Sequence, residues 1–328
     1  MTSPRLFNAL NLFRLYGALL VVAAHYAPVF TGGTLFAFGT GIFFIAAGFY
    51  ALGFERRRGL EYLLARLLRL YPGYLVAVAL YAFVMQPEGL FGVLGHHALF
   101  LLSAATRETV FALNPPFWSM PVFFTFFVIA AFVPLPRPGG IGLALLTALP
   151  MGLLFSGATD WRNGYLELLA FPLHFYAFWL GGLLAARWQP SRPAFKGAWA
   201  VAAAAVAFSL AAGLLHGQWI RGGPEWLAFG YREAMAFAHA LLLWALLRAP
   251  GLARRMPWLD RLGAAGFGVF LFHTLTSHLV SPHLQGVAGA ALALVLAAGL
   301  AWLSLYLIER PLQHRLAPRL ARCFAREK

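Results

Sequence analysis

The chain has 328 residues, of which 61% are hydrophobic and only 11% are charged, and its mean hydropathy is +0.73. This composition excludes a soluble globular protein, because no core of that size could bury so much apolar surface. The net charge of +14 does not indicate nucleic-acid binding, because the basic residues lie between apolar segments, as in cytoplasmic loops facing anionic lipid. One cysteine, Cys323, excludes an intramolecular disulfide and a cysteine-based metal site.

The first apolar segment, residues 8–30, contains Arg14 and His25 and has no convincing cleavage site, so we predict a retained helix rather than a signal peptide. Eleven residues of α-helix return to within about 20° of the same azimuth and rise about 16 Å. Ionisable side chains deep in a bilayer normally face a protein interior or a wet cavity. The pair therefore predicts a functional site on one face of this helix. The alternatives, for each residue taken singly, are a structural histidine at His25 and an interfacial anchor at Arg14.

Ten further apolar segments follow, at 35–54, 72–86, 90–105, 117–135, 141–156, 165–187, 197–215, 227–248, 265–281 and 287–308. Four basic clusters separate groups of these segments: Arg56–Arg69, Arg187–Lys196, Arg248–Arg261 and Arg310–Lys328. If all four are cytoplasmic, an even number of spans separates each pair, so one of the five segments between the first two clusters does not cross. The weakest is 90–105, which we predict to be a re-entrant or interfacial segment.

The sequence thus predicts an all-α, polytopic protein of the cell (inner) membrane with about ten transmembrane helices and both termini cytoplasmic. Residues 1–328 are expected to form one transmembrane domain with a short basic tail from about 312. In this topology, 21 of the 25 basic residues lie inside or near the inner face of the membrane. The four that lie outside or near the outer face are Arg107, Arg162, Arg221 and Arg232. No internal repeat of the kind found in many transporters is evident.

A second basic pair, Arg66 and Arg69, is spaced to share one helical face and leads directly into an apolar segment. Guanidinium groups at a cytoplasmic opening suit phosphate or pyrophosphate, which they bind in a bidentate manner. With Arg14 and His25 they could line one cavity. Positive-inside anchoring is the alternative, and it accounts well for Arg56–Arg58.

Four further positions are candidates for substrate binding. Trp118 and Ser119 are predicted at the outer start of a helix, where the tryptophan is either an interfacial anchor or a platform for stacking a sugar. His273 could orient an acceptor or make a structural hydrogen bond, and Glu233 could bind sugar hydroxyls or pair with a neighbouring arginine. Glu309 is predicted to pair locally with an arginine at its own helix end.

Several motifs, taken in order from residue 8 to residue 311, resemble the membrane acyltransferase-3 family, which O-acylates envelope polysaccharides and related glycans. They are the pair Arg14 and His25, the segment Phe43–Phe49 with Ala47 where serine is usual, Arg66–Arg69, Gly266–His273 and Ile308–Pro311. One position departs from the family pattern. Around Trp118-Ser119-Met120 the family usually has Trp-Ser-Leu-x-x-Glu, and here Phe123 replaces the glutamate.

The resemblance implies a ten-helix transferase in the lipid bilayer that takes an acyl group, commonly acetyl, from cytoplasmic acyl-CoA and passes it to a sugar hydroxyl. It implies acyl-CoA and a saccharide acceptor as partners, and neither a metal nor nucleic acid. His25 would act as a base or be acylated transiently, since imidazole suits both roles near neutral pH. Arg14, Arg66 and Arg69 would neutralise the CoA phosphates. Trp118, Ser119, His273 and Glu233 would contact the acceptor.

Three other classes of protein compete with this interpretation. A proton-coupled secondary transporter could use His25 and Glu233 as a relay, but it does not predict the arginine pair. A haem-binding electron carrier could draw on the ten histidines, few of which lie at matching depths. A carrier that moves the acyl group across the membrane for a separate transferase would use the same residues.

Overall fold

The computed structural model describes residues 3–33, 35, 38–55, 59–102, 105–155, 171–219 and 225–325, and the regular elements of this part of the chain are all helical. Arg56–Arg58, Arg162 and Arg221 lie outside it. The α-helices are α1 (Pro4–Tyr26), α2 (Gly39–Gly53), α3 (Gly59–Met85), α4 (Leu90–Ala98), α5 (Arg107–Phe111), α6 (Ser119–Phe132), α7 (Gly140–Phe155), α8 (Phe171–Arg187), α9 (Ala198–Trp219), α10 (Glu225–Arg248), α11 (Pro257–Val280), α12 (Gly286–Ser304) and α13 (Arg310–Ala325). A 3₁₀ turn precedes α6, and π-helical turns follow α1 and α12.

Six helical stretches of the described residues are long and apolar enough to cross a membrane: Pro4–Thr31, Gly59–Met85, Pro115–Phe132, Ala198–His216, Pro257–Val280 and Gly286–Phe324. Two shorter apolar helices are Gly39–Gly53 and Gly140–Gly152. The protein is therefore a membrane protein whose described residues form only helices as regular elements, as predicted. The total of about ten spans stays a prediction.

Within the described residues of the predicted non-crossing segment, the α-helix is the nine-residue α4. At 1.5 Å per residue this helix is about 14 Å long, too short for a hydrocarbon core of about 30 Å. Two tyrosine hydroxyls of α3 bond its last carbonyls, Tyr71 to Ala98 at 2.5 Å and Tyr74 to His97 at 3.1 Å. Together with the Phe100 amide, which also donates to the His97 carbonyl, these bonds satisfy the carboxyl end of α4.

The third helix begins earlier than the predicted segment 72–86. It starts at Gly59 and continues through Pro72 to Met85, so that Arg66 and Arg69 lie within it. Proline removes one helical hydrogen bond, but membrane helices tolerate it where neighbouring groups satisfy the freed carbonyl. The second basic motif is therefore placed by a rigid helix.

Contacts divide the described chain into two compact units. One comprises the described residues of Met1–Glu55, Pro136–Gly164 and Pro172–Gly266. The other comprises those of Arg56–Leu135, Tyr165–Phe171 and Phe267–Lys328. Arg14, His25 and Glu233 belong to the first unit, and the other candidate site residues belong to the second.

Helices α2 and α8 of the first unit touch backbone to backbone at two glycines. A Cβ atom at Gly48 would overlap the carbonyl oxygen of Phe178, and one at Gly181 would overlap that of Ile45. Small residues permit this approach in lipid, where close packing replaces the hydrophobic effect between helices. The glycine of the Phe43–Phe49 motif thus has a packing role.

Candidate active site

His25 lies in the last turn of α1 and is half-buried. Its Nδ1 lies 2.8 Å from the carbonyl oxygen of Val21, one turn earlier. Because a carbonyl oxygen only accepts, Nδ1 carries the hydrogen in the neutral ring, and the lone pair is on Nε2. A general base or a nucleophilic histidine needs this tautomer, with one nitrogen oriented by a hydrogen bond and the other basic.

The chain changes helical type directly after His25. A π-helical turn, Ala27–Thr31, follows α1 and ends at Gly32, whose φ of +66° favours glycine. π-Turns occur mostly as short insertions in helices, often at functional sites. Sequence analysis did not predict this turn, although Pro28 and the two glycines after Thr31 were signals for a break.

Arg14 is also half-buried, and its guanidinium points towards the amino end of α1. Nη2 donates to Oδ1 of Asn11 at 2.5 Å, and Nε donates to the carbonyl of Leu10 at 3.3 Å. The Asn11 amide in turn donates to the Asp260 carboxylate at 2.9 Å. A Cβ atom at Gly263 would lie 2.6 Å from Asn11 Oδ1, so the glycine makes room for this bond. Arg14 is therefore oriented by an amide that a distant carboxylate fixes.

Arg14 and His25 are joined by uninterrupted α-helix, so the predicted spacing of about 16 Å along one face holds. The structure adds Asn8 and Asn11 to the polar residues of this helix. Asn8 donates to the carbonyls of Leu252 and Arg254 at 2.9 and 2.7 Å. Sequence analysis missed both asparagines, although two amides three residues apart in an apolar helix are a signal.

In the second unit, Arg66 and Arg69 have different surroundings on α3. The Arg66 guanidinium lies over the Tyr62 ring, 5.1 Å from its centroid, which restrains it by a cation–π interaction. Arg69 is more exposed and acts electrostatically on the carboxylate of Glu309. One arginine thus stacks on an aromatic ring, and the other feels the charge of an acid.

Phe123, which stands where the family resemblance predicted a glutamate, is buried and lines the same pocket as Arg66. Both contribute to a small apolar pocket, whose walls are Arg66, Leu67, Leu70, Tyr71, Phe100, Met120, Phe123, Phe124 and Phe127. A carboxylate at position 123 would face the pocket that Arg66 lines. The replacement therefore removes an acid from the surroundings of this guanidinium.

Trp118 and Ser119 are at the junction of the 3₁₀ turn and α6, close to the predicted helix start. Trp118 is only 9% exposed and Ser119 is fully buried, so the protein interior surrounds both. The Ser119 hydroxyl donates to the carbonyl of Pro116 at 3.0 Å and so stabilises the turn.

His273 is fully buried in α11, and its Nδ1–H donates to the carbonyl of Phe270 at 2.9 Å. Two side chains from other segments bond the same stretch of helix, and we call them the Asn114–Tyr81 clamp. Asn114 donates to the carbonyl of Leu271 at 3.0 Å and accepts from the Thr274 hydroxyl at 2.6 Å.

The second member of the clamp, the Tyr81 hydroxyl, lies 2.6 Å from the Thr274 hydroxyl and accepts from the amide of Leu275 at 2.7 Å. The clamp fixes the turn that carries His273. Sequence analysis missed the role of Asn114, because its side-chain bonds are to residues distant in the sequence.

Glu233 is half-buried in α10, and its Oε1 has no hydrogen-bond partner within the described part of the chain. A buried carboxylate oxygen in this state is able to accept a hydrogen bond from a ligand hydroxyl. The described residues hold no group of three or more histidine, cysteine, aspartate or glutamate side chains that could bind a metal ion.

Helices that are long and apolar enough to cross a membrane carry an oriented histidine and the three candidate arginines, so the chain is a membrane protein with ionisable side chains on such helices. The family model described as an acyltransferase domain, acyltransferase-3, matches residues 7–308. The chain therefore belongs to the acyltransferase-3 family, as the motifs predicted. Searches of curated proteins and of solved structures found no match.

Proposed function

We propose that the protein transfers an acyl group, most simply acetyl, from cytoplasmic acyl-CoA to a sugar hydroxyl of a glycan or lipid-linked saccharide. Its membership of an acyltransferase family supports the class of reaction. The observation that carries the choice of catalytic residue is the Nδ1–H of His25 bonded to Val21, which puts the basic lone pair on Nε2. The site is in the cell membrane, with both termini cytoplasmic.

Two routes use this nitrogen. As a general base, Nε2 takes the proton of the sugar hydroxyl while the oxygen attacks the thioester carbonyl, and the CoA thiolate then receives that proton. As a nucleophile, Nε2 attacks the thioester and CoA leaves as the thiolate; the sugar hydroxyl then attacks the acyl-histidine, which frees the neutral imidazole, and the hydroxyl proton passes to the CoA thiolate. In both routes the imidazole becomes positively charged, and the Val21 carbonyl that accepts from Nδ1–H stabilises this charge.

The arginines are proposed to bind the acyl donor. Guanidinium groups pair with phosphate oxygens, and Arg14, Arg66 and Arg69 supply three of them. CoA separates its phosphates from its thioester by a long extended chain. A spacing of about 16 Å between Arg14 and His25 therefore suits phosphates near the middle of α1 and the reacting carbonyl at its carboxyl end.

The acceptor is proposed to contact Trp118, Ser119, His273 and Glu233. Support for Glu233 is its buried carboxylate oxygen, which has no partner among the described residues. Support for His273 is the Asn114–Tyr81 clamp, since a fixed helical turn holds a side chain in one place. The reaction as proposed needs no metal.

The experiment compares purified wild type with His25→Ala in detergent, using acetyl-CoA with a radiolabelled acetyl group. His278→Ala is the matched control, because His278 is an exposed histidine of α11. We expect hydrolysis or transfer by the wild type and the control, and none by His25→Ala. Label retained on denatured wild-type protein indicates the acyl-histidine route. Normal turnover by folded His25→Ala would refute the proposed role of His25.

A proton-coupled transporter is a second candidate, and the observation that favours it is the Glu233 oxygen, which has no hydrogen-bond partner among the described residues. Reconstituted vesicles separate the two functions. Solute uptake driven by a pH gradient and lost in Glu233→Gln, without any cleavage of acetyl-CoA, would favour the transporter. An acyl carrier would instead deliver the acetyl group to the vesicle interior, where a separate transferase would attach it to an acceptor.

A further inference from the structure

Glu309 is turned away from the arginine that follows it. Sequence reasoning paired it with an arginine at its own helix end, but the Arg310 guanidinium lies over the Tyr306 ring, 4.2 Å from its centroid. Glu309 is only 6% exposed, and its Oε1 accepts from the Ser304 hydroxyl at 2.9 Å. The arginine that acts electrostatically on this carboxylate is Arg69 of α3.

A π-helical turn, Leu305–Glu309, produces this orientation. In a regular α-helix, side chains five residues apart point about 140° away from each other. The π-turn bonds residues five apart, so it brings Ser304 and Glu309 onto neighbouring positions. The local sequence alone could not show this change of azimuth.

The Glu309 carboxylate lies against a gap in α3. A Cβ atom at Gly73 would come within 2.6 Å of Oε1 and 2.9 Å of the carboxyl carbon. Gly73 is one turn beyond Arg69, and Arg66, Arg69 and Gly73 follow one face of the helix at spacings of three and four residues. The carboxylate is therefore beside the face that carries both arginines.

We propose that Glu309 is a positioning residue that orients the Arg69 guanidinium for the phosphates of the acyl donor, and that Gly73 keeps open the gap this carboxylate occupies. This inference rests on the proposed function, because it assigns Arg69 to acyl-CoA. An arginine side chain loses rotamer freedom when it binds a phosphate, and a carboxylate that already restrains it reduces that loss. Glu309 itself does not touch the substrate.

The test measures equilibrium binding of acetyl-CoA, together with KM and kcat, for Glu309→Gln and Gly73→Ala. Gly299→Ala is the matched control, since a Cβ atom there would meet nothing within 4 Å. We expect both test variants to raise Kd and KM about threefold to tenfold with kcat unchanged, and the control to match the wild type. In an Arg69→Gln background, Glu309→Gln should add no further loss.

The outcomes distinguish this inference from the proposed function. Wild-type protein that binds no acetyl-CoA would refute the proposed function itself. Wild-type binding with equal or tighter binding by Glu309→Gln would show that the acid does not orient Arg69. If Glu309→Gln does not fold, Gly73→Ala decides, and an unchanged Kd there overturns the inference. Glu309 would be a structural residue if neither variant yields folded protein, or if kcat falls by as much as KM rises.

Discussion

Acidification from pH 7 to pH 5 is expected to destabilise the second unit through His97. This side chain is fully buried at the end of α4, and burial lowers its pKa to about 4, from an ordinary value of 6.5. The hydrogen bond from Nε2 to the Thr109 carbonyl, at 3.1 Å, opposes this lowering, and the neighbouring His96 adds to it. The neutral ring is therefore the native form.

The sign follows from the protons that each state binds. Between pH 6.5 and pH 4 the unfolded chain binds a proton at His97 and the folded chain does not, so the free energy of unfolding falls as the pH falls. With a pKa of 6.5 in the unfolded chain and about 4 in the folded chain, His97 lowers the free energy of unfolding by about 2 kcal/mol between pH 7 and pH 5. The loss ends below about pH 4, where both states are protonated.

The assay is SDS-induced unfolding in mixed micelles at pH 7 and pH 5. His97→Gln keeps an N–H group near the Thr109 carbonyl but does not titrate, so we expect its pH dependence to be smaller by about 2 kcal/mol than that of the wild type. His96→Gln, on the adjacent residue of the same helix, is the control. An equal pH dependence in wild type and His97→Gln would refute the reasoning.

Three further outcomes are expected. Gly181→Ala should prevent close packing of α2 and α8 and lower the yield of folded protein. Gly152→Ala is the control, because a Cβ atom there meets nothing within 4 Å. Size-exclusion profiles in detergent measure the difference in yield. In a binding titration, Arg69→Ala should weaken acetyl-CoA binding more than Arg58→Ala does. Equal losses of affinity would show that both arginines act only through general surface charge. Tyr81→Phe removes one hydroxyl of the Asn114–Tyr81 clamp, so the buried amide of Leu275 loses this acceptor. We expect SDS titrations to show a loss of stability of about 1–3 kcal/mol. Unchanged stability would contradict the role of Tyr81 in the clamp.

The sequence was sufficient for the features that depend on local composition. Long apolar stretches predict membrane helices because the backbone must satisfy its own hydrogen bonds in lipid. The spacing of Arg14 and His25 also held, since the intervening chain is regular helix. The family assignment rested on several weak motifs in a fixed order, and it was confirmed.

Features that depend on contacts between distant residues could not be predicted. The role of Gly48 is set by the Phe178 carbonyl, 130 residues later, and the partner of Glu309 is set by a π-turn that no residue pattern announces. Pro72 suggested a helix start, but the helix continues through it. In each case tertiary packing determined a geometry that local preference left open.

The bond between Asn11 and Asp260 also sets an order of events during synthesis of the chain. The two residues are 249 positions apart, and at about 5–20 residues per second the ribosome needs on the order of 12–50 s to make the intervening segment. During that interval α1 is already made, but the amide that orients Arg14 lacks its carboxylate. The polar contacts that orient Arg14 are therefore completed only when α11 emerges, and a nascent chain stopped before Asp260 would leave the Asn11 amide without its carboxylate partner.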